Sequence, residues 1–262
     1  MSDESTPLPA GRLPIMVVSH ERSGTHFTMN SIAGCFDYVS NPWLDLDRHP
    51  FNINYYHAPS LKALLLKVAE VRPVNLLKSH HEFEFFKRFM PATEGKLHIV
   101  YVYRNPADTM ASFWRFLHTW DWVEGPLEDT ALGFATAAPM GQSMRYQFRQ
   151  YPSMLERWAN NVEHWVDAAR RANNIHIVRY EDLAEHFEDT IRRLGRRMGM
   201  EPARIALPSR GENVVAGGTL AWNPEPGADN RAAVDQLARA MFPGLIDRLG
   251  YGPASSSLAS AI

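Results

Sequence analysis

Residues 15–31 read IMVVSHERSGTHFTMNS: a short apolar run, a turn with one serine and one glycine, then a stretch of helical character. That order constrains the fold more than any other feature of the chain. Ile15-Met16-Val17-Val18 is apolar and rich in β-branched residues, the pattern of a buried strand. Ser23-Gly24-Thr25 supplies a tight turn, because glycine reaches backbone angles that other residues avoid. A helix beginning near Thr25 would aim its unpaired N–H groups and positive dipole end at an anion, and Arg22 adds a fixed charge that grips phosphate oxygens with two donors. Ser-Gly-Thr also occurs in ordinary strand-to-helix turns. The segment departs from the nucleoside-triphosphatase pattern G-x-x-x-x-G-K-[ST], since it has one glycine, no lysine before the Ser/Thr and nothing to organise magnesium. It is therefore an ordinary turn or a phosphate loop of another type, and the rest of the chain decides.

Similar runs recur at Asn75–Ser79, Leu97–Tyr103 and Ile175–Arg179. Helical spacing lies between and after them. Ser60–Glu70 carries Leu61, Leu64, Leu65 and Val68 on one stripe, with Ser60 as an N-cap. Asn105-Pro106 reads as a cap followed by proline at the first helical position, and opens a helix to about Trp120. Ser153–Ala172, Asp182–Met198 and Asp229–Leu249 are further expected helices. Strands alternating with helices predict βαβ units and a mainly parallel sheet: an α/β fold in three αβα layers. With 262 residues, 45% of them hydrophobic, one large core suffices, and the expected organisation is a single domain over 14–252. An acidic, proline-rich arm at 1–13 precedes it and a small, polar tail at 253–262 follows. Residues 121–151, rich in glycine, proline and aromatics, read as a lid or substrate loop, or equally as an irregular excursion.

A formal net charge of −2 argues against bulk nucleic-acid binding, which needs a basic surface. The one cysteine, Cys35, allows no internal disulfide and fits a reducing, cytoplasmic setting. No apolar run approaches the length of a membrane span, and the first residues lack the basic start and apolar run of a signal peptide.

Ligands of open α/β sheets bind at the carboxyl ends of the strands. Three of those ends carry basic residues: Arg22, then Lys78 and His80 in Leu77-Lys78-Ser79-His80-His81, then Arg104 in Tyr103-Arg104-Asn105-Pro106. Together with a helix N-terminus they suit a ligand with more than one phosphate-like group. These residues resemble the sulfotransferases that use 3′-phosphoadenosine 5′-phosphosulfate (PAPS). The first motif of that family is a strand followed by P-[KR]-S-G-T, here Glu21-Arg22-Ser23-Gly24-Thr25-His26-Phe27; its second begins R-N-P with a serine eight residues after the arginine, here Arg104-Asn105-Pro106…Ser112. Lys78-Ser79-His80 matches K-[TS]-H, and Arg179-Tyr180-Glu181-Asp182-Leu183 matches [FR]-Y-E-D-L. The motifs stand in family order over most of residues 15–200.

The resemblance implies a P-loop NTPase-like fold and a set of roles. Arg22, Ser23, Gly24, Thr25 and His26 would hold the 5′-phosphosulfate, and Phe27 replaces an aromatic that stacks on adenine. Arg104 and Ser112 would bind the 3′-phosphate, Tyr180 would lie near the adenine, and Arg210-Gly211 matches part of a late R-K-G motif. Glu21 stands where the family has proline, and His26 where it has a hydroxyl residue. Sulfuryl transfer needs positioning, charge neutralisation and removal of a proton. His80, or His81 beside it, is the candidate base because an imidazole titrates near neutrality. Lys78 would stabilise charge on the transferring group and Arg22 would hold the departing phosphate. No metal is required. The expected partner is a small-molecule or carbohydrate acceptor, and Phe83, Phe85, Phe86, Phe89, Trp114, Phe116, Trp120 and Trp122 are candidate aromatics for binding it, or core. A nucleotide kinase of a related phosphate-loop fold and a non-catalytic nucleotide-binding protein are the competing readings.

Overall fold

Ile15–Ser19 forms β1, and every one of its side chains is buried. In the computed structural model, which describes residues 12–47, 54–71, 74–119, 125–209 and 222–252, β1 is the middle strand of a sheet. A strand covered on both faces has no solvent side, so its sequence is a continuous apolar run. The sheet order is β2 (Val39–Asp45), β3 (Asn75–Ser79), β1, β4 (His98–Tyr103), β5 (Ile175–Arg179), and every neighbouring pair is parallel. The chain leaves β1 through α1 (Thr25–Phe36), forms β2 and α2 (Ala58–Val71), returns as β3 beside β1, and then places β4 on the other side of β1. The direction of winding reverses at β1, which makes its carboxyl end the switch point where such sheets bind ligands.

Side chains alternate between two covered faces. Ile15, Val17, Leu76, Val100, Val102 and Val178 share one face with Phe27, Met29, Ile32 and Phe36 of α1 and with Ile191, Leu194 and Met198 of α7 (Phe187–Met198). On the other face Tyr101 stacks on Trp165 of α5 (Met154–Ala169), their centroids 5.4 Å apart, and Phe83 and Phe86 close around the same indole. The layers are therefore α, β, α.

The chain gathers into two units. The first comprises residues 1–104, 146–148 and 164–216 and contains the sheet. The second comprises residues 105–145, 149–163 and 217–262. Within it α3 (Pro106–Thr119) packs against α4 (Ala131–Thr136) and α8 (Arg231–Met241), and α9 (Pro243–Arg248) follows α8. Trp114 donates its Nε1–H to Glu128 O at 2.7 Å and meets Trp222 edge-on. Arg231 bridges Asp108 at 2.8 Å and Asp229 at 2.9 Å, and Arg115 also pairs with Asp229.

β1, β3 and β5 have the bounds expected from the sequence, and β4 begins one residue later than expected. β2 was not expected: it is an edge strand, carries Pro42, and is half exposed, so it lacks the apolar signature. The helix expected over 182–198 is two, α6 (Tyr180–Glu185) and α7, broken at His186 with φ −126 and ψ 53. The helix expected over 229–249 divides into α8 and α9 at Phe242, because the residue before a proline is driven out of the helical region and Pro243 restarts the helix. The segment 121–151 contains α4 and a 3₁₀ turn at Gly141–Met144. The expected tail, and all of the expected arm except residues 12 and 13, lie outside the described residues. No helix among the described residues is long and apolar enough to cross a membrane.

At the start of β4 and β5, His98 Nδ1 and His176 Nε2 lie 3.0 Å apart, so one ring donates and the other accepts. Burial, then His98 and Arg197, push His176 down to about 4, and burial lowers His98 as well. A native value below the ordinary 6.5 means that folding favours the neutral ring, so stability is retained above that value and lost as pH falls toward 4. His176 alone is expected to contribute a loss of roughly 2 kcal/mol in urea unfolding between neutral pH and about pH 5. His176→Gln is expected to flatten that slope; an unchanged slope would contradict the assignment.

Candidate active site

The turn after β1 is tightly wound. Arg22 has φ 63 and Gly24 has φ 95, both in the left-handed region. Gly24 is the N-cap of α1; no side chain caps this helix and no acidic residue sits in its first turn, so its positive end is not neutralised locally. Ser23 is fully buried and its Oγ has no hydrogen-bond partner. Buried hydroxyls are normally paired, so this one marks a place built for a polar group to arrive. Thr25 is already committed, with its Oγ1 2.6 Å from Ser19 Oγ.

Tyr180, the first residue of α6, closes the turn from above. A Cβ added to Gly24 would overlap Tyr180 Cδ2 and lie 2.6 Å from Cε2, so only glycine admits the ring. The guanidinium of Arg104, at the end of β4, lies over the same ring 4.7 Å from its centroid. Phe27 meets Tyr180 edge-on at 5.9 Å and is otherwise buried in the core. Burial, then the Arg104 charge, push Arg22 below its ordinary value. The structure thus brings Arg22, Ser23, Gly24, Phe27, Arg104 and Tyr180 together. Ser112 sits on α3 in the second unit, and Arg210 and Gly211 lie outside the described residues.

The end of β3 adds the second half of the site. Lys78 is buried and paired with Asp45 of β2 at 3.2 Å. His80 Nδ1 lies 3.0 Å from the Ser19 carbonyl oxygen, which can only accept, so Nδ1 carries the proton and Nε2 holds a lone pair. Burial and the Lys78 ammonium push His80 down to about 4, against the opposing pull of Asp47 and Glu21. The imidazole is therefore neutral at physiological pH. Burial, then Lys78 and His80, likewise push His26 to about 4, and its ring meets Trp43 edge-on at 4.7 Å. Glu21 turns toward His20, with a carboxylate oxygen 3.8 Å from His20 Nδ1.

His81 is enclosed. Tyr55 stacks on its ring with centroids 3.4 Å apart, Tyr146 and Phe85 meet it edge-on, and its Nδ1 donates to Asp47 at 2.8 Å. Asp45, Asp47, Tyr55 and Tyr146 escaped the sequence reading. The alternation Leu44-Asp45-Leu46-Asp47 was the available signal for the two carboxylates, masked by Asn41-Pro42 in front of it. Of the aromatics read as acceptor candidates, Phe85, Phe86, Phe89 and Trp114 are buried, whereas Trp120 and Trp122 lie outside the described residues.

The sulfotransferase domain model matches residues 13–209 of this sequence. The chain belongs to the sulfotransferase family. No curated protein sequence matches this sulfotransferase significantly. Among solved structures, retinol dehydratase in complex with androsterone and inactive cofactor PAP superposes with a TM-score of 0.50 at 14% identity, covering 89% of this chain and 80% of that one. A sulfotransferase from Alicyclobacillus acidocaldarius gives 0.50 at 13% identity, covering 92% and 95%. Mouse sulfotransferase SULT7A1 complexed with PAP gives 0.48 at 18% identity; 72% of this chain is covered, which spans 58% of the mouse protein's length. At these identities the likeness is one of fold: a five-stranded parallel sheet with a phosphate-loop-like first turn.

The contact between Gly24 and Tyr180 makes a direct prediction. Gly24→Ala is expected to cost about 2 kcal/mol in chemical denaturation, from backbone strain at positive φ plus displacement of the ring. In a Tyr180→Ala background the ring component disappears and the cost falls. Equal costs in both backgrounds would contradict the contact.

Proposed function

We propose that this sulfotransferase moves the sulfuryl group of PAPS to a hydroxyl or amine of a small-molecule or carbohydrate acceptor, with His80 as the base. One observation carries the reading: an uncapped helix N-terminus, a buried unpaired Ser23 hydroxyl and the charges of Arg22 and Arg104 lie at the same sheet edge as a neutral His80 whose Nε2 holds a lone pair. The structural neighbours solved with PAP support a nucleotide carrying phosphate groups as the co-substrate.

The residues present fit PAPS. Arg22, the Ser23 hydroxyl and the backbone N–H groups of Gly24, Thr25 and His26 offer donors to its 5′ end, and the missing side chain of Gly24 lets the Tyr180 ring pack against the turn. Arg104, held over Tyr180, offers charge for a 3′-phosphate, and Tyr180 offers ring surface for adenine, whereas Phe27 backs it from the core. When bound, PAPS supplies the activated sulfuryl group and a bisphosphate leaving group.

The chain's own residues do the rest. His80 accepts the acceptor's proton at Nε2, because Nδ1 is committed to Ser19. His81 is a poorer base: its ring is covered on its face by Tyr55 and its Nδ1 is held by Asp47. Lys78 brings positive charge to the reacting end, and its pairing with Asp45 fixes where that charge lies. Arg22 holds the departing phosphate. On the acceptor side, Tyr146 lies 5.4 Å from the His80 ring, and the exposed rings of Tyr56 and Phe148 pack around Phe85, with Tyr56 67% exposed. A shelf of exposed aromatics next to the base favours an acceptor with an apolar or ring-bearing body.

His80→Ala is expected to lower kcat by about 100-fold or more, while adenosine 3′,5′-bisphosphate affinity stays within roughly threefold of wild type. Turnover measured with PAPS and an acceptor library, alongside calorimetric binding of the bisphosphate, checks both halves. Retained turnover in the variant would remove His80 from the reaction.

A further inference from the structure

We propose that Asp47 is a positioning residue for the transfer: its buried carboxylate holds the backbone of His80, and through it the imidazole against Ser19. The inference rests on the reading of His80 as the base.

Asp45 is the last residue of β2 and pairs with Lys78; one step on, Leu46 N–H still donates to Lys78 O at 3.0 Å. β3 ends at Ser79, and β1 pairs with it no further than Val18↔Ser79. His80 is thus the first residue beyond the sheet, where backbone geometry is ordinarily loose. Asp47 Oδ2 accepts the His80 peptide N–H at 2.8 Å, in the place that a further ladder carbonyl would occupy. The strand is extended by a side chain.

The other carboxylate oxygen is held as firmly. Asp47 Oδ1 accepts from Ser79 Oγ at 2.9 Å and from His81 Nδ1 at 2.8 Å, and lies 3.2 Å from the Tyr55 hydroxyl. Burial alone would raise this carboxyl, but the His81 imidazole and its hydrogen bond, with Lys78 and His80 nearby, hold it well below the usual carboxylate range. Ser79, His80 and His81 are three consecutive residues, all bound to one carboxylate. The segment is fixed again where His81 O accepts the Trp165 Nε1–H at 3.3 Å. With the backbone of 79–81 locked, the His80 ring reaches the Ser19 carbonyl, and that contact sets its tautomer.

An amide in the same place cannot do this. Asparagine offers one acceptor and one NH₂. If its oxygen stays with Ser79, His81 and Tyr55, its NH₂ faces the His80 N–H, donor against donor. The His80 backbone must then move, and small misplacements at a reacting group are costly in rate.

The test compares Asp47→Asn with wild type in kcat, acceptor KM and bisphosphate affinity, with histidine ring ¹⁵N spectra of both. The expected result is a fall in kcat of roughly 10- to 100-fold. KM and bisphosphate affinity should stay within about twofold, and the His80 ring should lose its single Nδ1–H tautomer. A folded variant that keeps kcat within about twofold, or that loses bisphosphate affinity in proportion to kcat, overturns the proposal. Should Asp47→Asn fail to fold, amide exchange in the wild-type protein decides: a protected His80 N–H supports the bond to Asp47, and rapid exchange overturns it. His80→Ala separates the two levels. If that variant keeps turnover, the functional reading fails; if it is inactive while Asp47→Asn is fully active, only the positioning role falls.

Discussion

Positive charge crowded at one buried sheet edge is the constraint on which the site depends. Lys78, Arg22 and Arg104 end or follow adjacent parallel strands, and the unneutralised end of α1 points to the same edge. Burying such groups without partners costs several kcal/mol each. The fold meets that cost with acidic residues at and just beyond the end of the edge strand: Asp45 pairs with Lys78, and Asp47 gathers the backbone and side chains of residues 79–81. Arg104 is spread over the Tyr180 ring. Burial, then the nearby Arg104 charge, lowers the affinity of Arg22 for its proton. An anion arriving beside both charges would be stabilised by them, which is a physical reason to expect a phosphate-bearing ligand.

The same environment bears on the chemistry proposed for His80. Desolvation beside an ammonium keeps His80 neutral, and a carbonyl on Nδ1 decides which nitrogen is left to accept a proton. Orientation and protonation state are thus fixed by different neighbours. Arg22 at φ 63 and Gly24 pressed under Tyr180 show that the loop is held in a conformation ordinary sequences avoid. Strain of that kind persists only where surrounding structure enforces it.

Much of this was legible in the sequence because it is local. β1, β3 and β5 announce themselves, being buried strands with continuous apolar runs, and the residues after β1, β3 and β4 follow once the sheet is known to be parallel. The turn after β1 and the positions of Lys78, His80 and Arg104 at the strand ends were read in this way. What escaped depends on contacts between residues distant in sequence. β2 is an edge strand interrupted by Pro42, so neither Asp45 at its end nor Asp47 two residues beyond gave a strand signal, although they bind residues 78–81. Tyr146 reaches His80 from more than sixty positions away, and no spacing rule could join them. Expecting an adenine-stacking role for Phe27 came from motif position, whereas its burial is decided by the packing of α1 on the sheet. The helix breaks at His186 and Phe242 were missed for a simpler reason: apolar periodicity continues across both.

The account stands or falls on sulfuryl transfer itself. The protein should be incubated with PAPS and a library of hydroxyl- and amine-bearing acceptors weighted toward apolar and ring-bearing compounds, with adenosine 3′,5′-bisphosphate and sulfated product quantified together. The account predicts equal amounts of the two, formed only when an acceptor is present and without added metal. Absence of bisphosphate release with every acceptor, or phosphoryl transfer from ATP–magnesium in its place, would contradict it.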